Sequence, residues 1–298
     1  MKNQTNERYL NKLHHDILTI MDEVDRICRE NHLRYYLMCG SCIGAVRHKG
    51  FIPWDDDMDI AMPFNDFIRF IKLITENKAK NSILSDSFYL RWINTEKCYN
   101  HSFAKMCLKG TVFQESNGPS AKNAGIYVDI FPLYSCKPYG KSIEIQNRIV
   151  TFLEKCIHYK GAKHDKFDRN LKLWIKRIIT NLFSNYSIYK IMLMIIRPLD
   201  ENKSDYQAFF ATPYPMRRML FPKDWHGDGK FMLFEGREYI CPIKADSYLK
   251  QIYGEDVMQL PPENKRKSHY PLRVVFSDGE EMYFERPTNK IKYRDLIE

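Results

Sequence analysis

The sequence predicts an α+β fold, and three of its features carry that prediction. Short apolar strands alternate with amphipathic helices through roughly the first 130 residues, a basic stretch patterned for helix follows, and the last hundred residues hold one more helix and a hairpin signal. The expected division is residues 1–136 as a mixed-sheet core with an N-terminal helix, 137–200 as a basic, mostly helical insertion, and 201–298 as an α/β part completing the domain. Apolar residues make up 44% of the 298, which is globular usage and sets a disordered chain aside.

The elements follow in order. Leu10, Leu13, Ile17, Ile20, Val24 and Ile27 recur at three- and four-residue steps, so the first thirty residues form one amphipathic helix with a packing role. A strand at Arg34–Met38 runs into Gly40-Ser41 and a brief helix at Cys42–Arg47. A second strand spans Met58–Met62, is ended by Pro63, and leads to helical spacing from Asn65 to Glu76. Further strands are expected at Phe88–Ile93, Phe103–Val112 and Gly125–Phe131, the last stopped by Pro132. Near the C-terminus, Lys244–Tyr253 is a helix closed by Gly254, and Arg273–Phe276 and Glu281–Phe284 flank an Asp-Gly turn.

The net charge of +9 is localised. Residues 137–197 hold thirteen Lys/Arg against four Asp/Glu, so this segment carries the whole surplus and points to an anionic partner. Within it, Leu171, Trp174, Ile175, Ile178 and Leu182 form one helix face, opposite Arg169, Lys172 and Lys176. Such a helix either packs its apolar face on the core or lies on an anionic membrane. The N-terminus lacks a basic-then-apolar leader and no apolar run is long enough to span a bilayer, so the expectation is a soluble, cytoplasmic chain with reduced thiols. The pair Cys39-Gly-Ser-Cys42 has no second pair or neighbouring histidines, and reads as small residues at a strand-to-helix junction.

Pro53–Pro63 places Asp55, Asp56, Asp57 and Asp59 within five positions. Residues two apart in a strand share a face, so Asp57 and Asp59 project together about 6–7 Å apart, joined by Asp55 if the strand begins early. Carboxylates crowded in this way repel unless a cation compensates, and oxygen ligands of this kind suit Mg²⁺, with Mn²⁺ a substitute. An acidic loop or a calcium site is the alternative. Asp129 is a lone acid in an apolar strand, costly to bury unless it faces the same cation from a neighbouring strand or bonds to backbone amides. Upstream, Gly40-Ser41 offers backbone amides and a hydroxyl to an anion, and Arg47-His48-Lys49 adds a cationic turn that is otherwise merely solvated.

The run from Gly40 to Met62, with Tyr127-Val-Asp-Ile-Phe-Pro-Leu133, Phe234-Glu-Gly236, Tyr248-Leu249, Tyr253-Gly254 and Pro261-Pro262, closely resembles the LicD/fukutin family. The resemblance covers roughly Leu33–Leu133 and Pro222–Tyr270; the usual Thr or Ser with aliphatics after the first Gly is here Ser41-Cys42, the cysteine being a small departure. It implies a nucleotidyltransferase-like core and transfer of phosphocholine from CDP-choline to a sugar hydroxyl of a teichoic acid or lipopolysaccharide precursor, with CMP released. Asp57, Asp59 and Asp129 would then be catalytic and, with Asp55, metal ligands. Gly40, Ser41, Arg47, His48 and Lys49 would serve the donor phosphates.

A choline headgroup would call for an aromatic cage, with Trp54, Trp225 and Tyr270 as candidates that are equally ordinary core residues. His269, after Lys265-Arg-Lys267, contacts phosphate or closes the fold. An anionic, lipid-borne acceptor would give the basic segment a place at the inner face of the membrane. CDP-glycerol or CDP-ribitol as donor, and nucleotidyl transfer to a small molecule or an RNA end, are the competing chemistries. No nucleic-acid-binding motif is present, and the aspartates oppose phosphate without a metal.

Overall fold

The computed structural model describes residues 2–76, 83–116, 121, 124–160, 171–263, 266, 268 and 271–284. Its α+β architecture is organised around β6 (Tyr127–Cys136), the longest strand, which is buried along nearly all its length. One edge of β6 takes β2 (Asp59–Pro63) in parallel, and β2 in turn takes β1 (Tyr36–Leu37) antiparallel. The other edge takes β4 (Ala104–Leu108) and then β3 (Phe88–Arg91), and further along takes β7 (Tyr206–Ala208) and β8 (Leu220–Pro222). The mixed sheet therefore has seven strands.

Pro132 does not end β6, contrary to the expectation from sequence. Asp129 N–H donates to Met58 O on the β2 side, so strand alternation turns the Pro132 nitrogen to the opposite edge. There β4 has stopped pairing at Ile130 and β7 begins at Tyr134. A residue without an N–H costs no ladder bond in that gap. The strand expected over Phe103–Val112 also differs: it breaks after Leu108, and β5 (Val112–Gln114) joins a separate sheet with β11 (Arg273–Val275) and β12 (Glu281–Tyr283). That sheet contains the predicted C-terminal hairpin. A second hairpin, β9 (Lys230–Phe234) with β10 (Arg237–Cys241), was not anticipated, although Glu235 and Gly236 at its turn both take positive φ, as a tight two-residue turn requires.

The helix α1 (Lys2–Glu30) lies across β4 and β6, and all six of its predicted apolar positions are buried. It also holds the C-terminal parts in place. Asp16 accepts from Ser277 N–H and Oγ, and Asp22 accepts from Arg237 and the Tyr239 hydroxyl. Helix α2 (Cys39–Ile43) continues into a π turn, Gly44–His48; α3 is Phe64–Glu76, and α7 (Ala245–Tyr253) ends at Gly254 with φ +100°. The basic region contributes α4 (Lys141–Lys160), α5 (Leu171–Leu182) and α6 (Asn185–Ile196), with α4 against both others. Ile188, Tyr189, Met192 and Ile196 of α6 belong to the same apolar cluster as α1 and the sheet.

Arg34 links distant parts of this fold. It donates from both terminal nitrogens to Glu201, at 2.5 and 2.9 Å, and from Nε to buried Asp66 at 2.7 Å. The Arg34 hydrogen bond lowers the Glu201 pKa below its ordinary 4.5. A carboxyl with a depressed folded pKa adds stability above its unfolded value and loses it as pH falls through the folded one. Glu201→Gln is therefore expected to lower the melting temperature at neutral pH, with the gap to wild type closing below about pH 4. Thermal melts of both proteins across that range check this; a gap constant with pH would remove the ion pair as its cause.

Candidate active site

Three charged residues stand side by side at the centre of the sheet. Asp59 on β2 is in register with Asp129 on β6, and Asp129 with Lys105 on β4, so all three project from one face on adjacent strands. Lys105 and Asp129 are almost fully buried. The ammonium lies 3.0 Å from Asp129 Oδ1, donates to Oδ2 at 3.4 Å, and sits 3.2 Å from the centre of the Tyr127 ring. Burial raises the Asp129 pKa well above the carboxylate range; Lys105 works against this, while the charges of Glu115 and Asp57 add to it. Burial disfavours the Lys105 ammonium too, yet Asp129 and Glu115 keep its pKa above the ordinary value. Asp129 Oδ1 has the ammonium beside it but no hydrogen bond.

The aspartate loop is placed from several sides. Asp57 precedes β2 instead of lying within it, so only Asp59 of the acidic run is held by the sheet. Asp57 still reaches the site, since its charge acts on Asp129 and on Tyr127. Asp56 turns away, buried, and accepts from the Tyr9 hydroxyl at 3.4 Å. Asp55 is fixed through its carbonyl, 2.8 Å from His14 Nε2, while the His14 ring stacks on Phe51 at 3.8 Å. Its carboxylate lies against Gly40, where a Cβ would meet Asp55 Oδ2 at 2.8 Å. Gly50 is equally constrained: the Glu235 carboxylate fills the place of its Cβ while accepting from Phe51 N–H at 3.1 Å.

At the strand-to-helix junction, Cys39 has φ +45° and its N–H donates to the Tyr248 hydroxyl at 3.3 Å. Ser41 is buried and its Oγ accepts from Asp59 N–H at 2.8 Å, so the residue read as a phosphate donor holds the start of β2; its own proton remains to donate. Cys42 is buried and its thiol faces Cys241. Arg47 donates to the carbonyls of Val257 and Gln259, at 2.9 and 3.0 Å, and to His48 Nε2 at 2.9 Å. Burial, then the Arg47 charge, lowers the His48 pKa. Lys49 takes φ +57°, and its carbonyl accepts from Glu235 N–H.

Of the aromatic candidates, Trp54 is covered by the Arg266 guanidinium, 4.9 Å from its ring centre, and its carbonyl accepts from the Ser268 hydroxyl. Trp225 packs beside Phe221, at 6.3 Å. His269 and Tyr270 lie outside the described residues.

Lys105 and Glu115 are the members of this site that sequence reasoning missed. Glu115 accepts from the Tyr127 hydroxyl at 2.8 Å. The signal for Lys105 was available: a lone cation in the apolar run Phe103–Leu108 raises the same question as a lone acid in β6. Chemically, the site is a row of acids around one cation, a donor set of carboxylate oxygens. The carboxylates of Asp57, Asp59 and Asp129 do not close into a ligand-tight trio; among the described residues only a separate histidine–glutamate group does.

A strand, a glycine-serine turn into helix, an acid-bearing second strand and a third acid on the adjacent strand define a nucleotidyltransferase-type core. Residues 32–158 match the family described as LicD/FKTN/FKRP, nucleotidyltransferase domain. Over 262 residues, covering 85% of this chain and 92% of that protein, the chain is 26% identical to the lipopolysaccharide cholinephosphotransferase LicD of Haemophilus influenzae. Shorter matches of 59 and 57 residues, at 36% and 33% identity, link it to uncharacterised proteins of Rickettsia typhi (20% of this chain, 19% of that protein) and Rickettsia prowazekii (19% and 21%). The chain is thus similar to the LicD family through residues 32–158 and to one of its members over most of its length.

Replacing Lys105 by Met should strand Asp129 in the sheet. A broken buried pair costs about 3–5 kcal/mol, and the low end applies because Asp129 can take up a proton. Urea unfolding is expected to show a loss of about 3 kcal/mol for Lys105→Met, partly restored in Lys105→Met with Asp129→Asn. A double variant no more stable than the single would show that the lost packing, not the stranded charge, sets the cost.

Proposed function

We propose that this protein transfers phosphocholine from CDP-choline to a sugar hydroxyl of a cell-surface glycopolymer precursor, a lipopolysaccharide or teichoic acid, releasing CMP. The observation that carries the reading is the in-register row Asp59–Asp129–Lys105, with Asp57 beside it, in a chain aligned over 85% of its length with a lipopolysaccharide cholinephosphotransferase.

The donor set fits Mg²⁺, or Mn²⁺ in its place. Asp57, Asp59 and Asp129, with Asp55, offer only carboxylate oxygens, and Asp129 Oδ1 faces the Lys105 ammonium at 3.0 Å. Bound there, the ion would offset charge on the pyrophosphate and on the departing CMP. Lys105 orients Asp129 and supplies a fixed positive charge in a desolvated site, where it acts strongly on phosphate oxygens. Gly40 leaves room for the Asp55 carboxylate, and the Ser41 proton is available to a phosphate oxygen. In the transfer the acceptor oxygen forms the new P–O bond and the P–O bond to CMP breaks. The hydroxyl proton passes to Asp129 or to water.

The basic segment supports work at the inner face of a membrane. On α5, Trp174, Ile175, Ile178 and Leu182 are exposed, so the face that could have packed on the core is turned outward beside cationic residues. No helix among the described residues is long and apolar enough to cross a membrane. Contact through this face would be peripheral, with an anionic lipid surface as the partner. Vesicles containing phosphatidylglycerol are expected to sediment the wild type but not Trp174→Ser with Ile178→Ser; equal sedimentation of both would return α5 to a solvated role.

Ligands that bind only the native state raise the melting temperature, so the donor can be tested without an acceptor. In Mg²⁺, CDP-choline is expected to raise it and CDP-glycerol, CDP-ribitol and CTP to do so less, with the shift lost in Asp59→Asn. A larger shift for CDP-glycerol or CDP-ribitol would replace the donor and keep the chemistry. A shift for CTP alone would overturn phosphocholine transfer in favour of nucleotidyl transfer.

A further inference from the structure

Away from the aspartates, His101, Glu154 and His158 bring three ligand atoms within 4.8 Å of one another. Glu154 and His158 stand four residues apart on one face of α4, and His101 approaches from the segment before β4. The Glu154 side chain is 8% exposed; its Oε1 accepts from Ser102 N–H at 3.2 Å and lies 3.3 Å from His158 Nε2. Its Oε2 is sealed from solvent without a hydrogen-bond partner, and so is His101 Nδ1. The two imidazole rings are 4.9 Å apart and nearly perpendicular. Two orphaned polar atoms, one on Glu154 and one on His101, in a cluster with a second imidazole are costly to a fold unless something partners them.

We propose that His101, Glu154 and His158 form a binding site for Zn²⁺, separate from the aspartate site. The chemistry decides between metals. Two imidazoles and one carboxylate suit zinc and its neighbours among the transition metals, whereas Mg²⁺ takes oxygen ligands alone. Zinc holds His nitrogen and carboxylate oxygen at about 2.0–2.2 Å, so binding would draw the three side chains slightly together. The His158 side chain is 43% exposed, which leaves an entry path and room for water as a fourth ligand. An ion here would tie α4, the first helix of the basic segment, to the segment that leads into the Lys105 strand. The link is short: the rings of His101 and Phe103 are 4.8 Å apart, and Phe103 lies 4.3 Å from Phe131 of β6 and 5.7 Å from the Lys105 ammonium.

The test uses the full-length protein stripped of metal by a chelator, with Zn²⁺ as titrant in calorimetry and Co²⁺ as a spectroscopic substitute. His158→Ala is the first variant, because its half-exposed side chain is the least buried of the three; Glu154→Gln is the second. Wild type is expected to bind one more Zn²⁺ than His158→Ala, unaffected by millimolar Mg²⁺, and to melt at a higher temperature with Zn²⁺ than without it. Even an outer-shell partner is typically worth about 10–100-fold in metal affinity, so loss of a direct ligand should weaken binding by at least about tenfold. Asp59→Asn should keep the site and its Co²⁺ ligand-field bands. The proposal is overturned if His158→Ala binds Zn²⁺ as wild type does, if Mg²⁺ displaces the ion, or if the ion is lost with Asp59 instead.

Discussion

A lysine and an aspartate buried together in the middle of a sheet are the constraint on which the rest of this structure depends. Neither could be placed there alone. Each would carry a desolvation cost of several kcal/mol, and their attraction offsets it only in a fixed geometry. The sheet supplies that geometry by register: Lys105, Asp129 and Asp59 occupy one row across three strands. A slip of one residue in either ladder would turn one of these charges to the opposite face. The surrounding bonds guard against it. Ser41 anchors the first residue of β2 from the helix side, the Asp59 carbonyl accepts from Met38 N–H, and Asp129 N–H donates to Met58.

The parts of the molecule that follow a local rule were legible in the sequence. The apolar stripe of α1, the acid on β2, the lone acid of β6 and the C-terminal hairpin depend on spacing within a few residues. What escaped was set by contacts between segments far apart in the chain. Lys105 acquires meaning only opposite Asp129, and Pro132 is harmless only because two different strands share one edge of β6. The split of Phe103–Val112 into β4 and β5 follows from where β11 lies, which no window around residue 108 contains. The β9–β10 hairpin is a different case. Its Glu-Gly turn is local, but in the sequence Phe234-Glu-Gly236 stands out through the family resemblance and not as a bend.

The candidate site shows how far residue type alone can locate function. The aspartates were found because clustered charge is conspicuous. Their setting was not visible: Ser41 and Arg47, chosen for what they could offer a phosphate, spend hydrogen-bonding capacity on Asp59 and on the carbonyls of Val257 and Gln259. The second hairpin likewise braces Lys49–Phe51 through Glu235, so the acidic loop rests on residues nearly two hundred positions away. A glycine-rich stretch that looks built to approach ligand is here also built to let another carboxylate through.

The bond between Ser277 and Asp16 spans 261 residues, and β5 pairs with β11 near the end of the chain. Synthesis runs from the N-terminus, so α1 and the sheet leave the ribosome long before the hairpin that covers them. At the usual pace of about 5–20 residues per second, the interval lasts at least several seconds. During that time α1 carries a buried-type carboxylate with no partner and β5 has an unpaired edge. Strands β11 and β12 thus complete the fold only after the elements they cover have been made, and a nascent chain must be shielded or held loosely until they arrive.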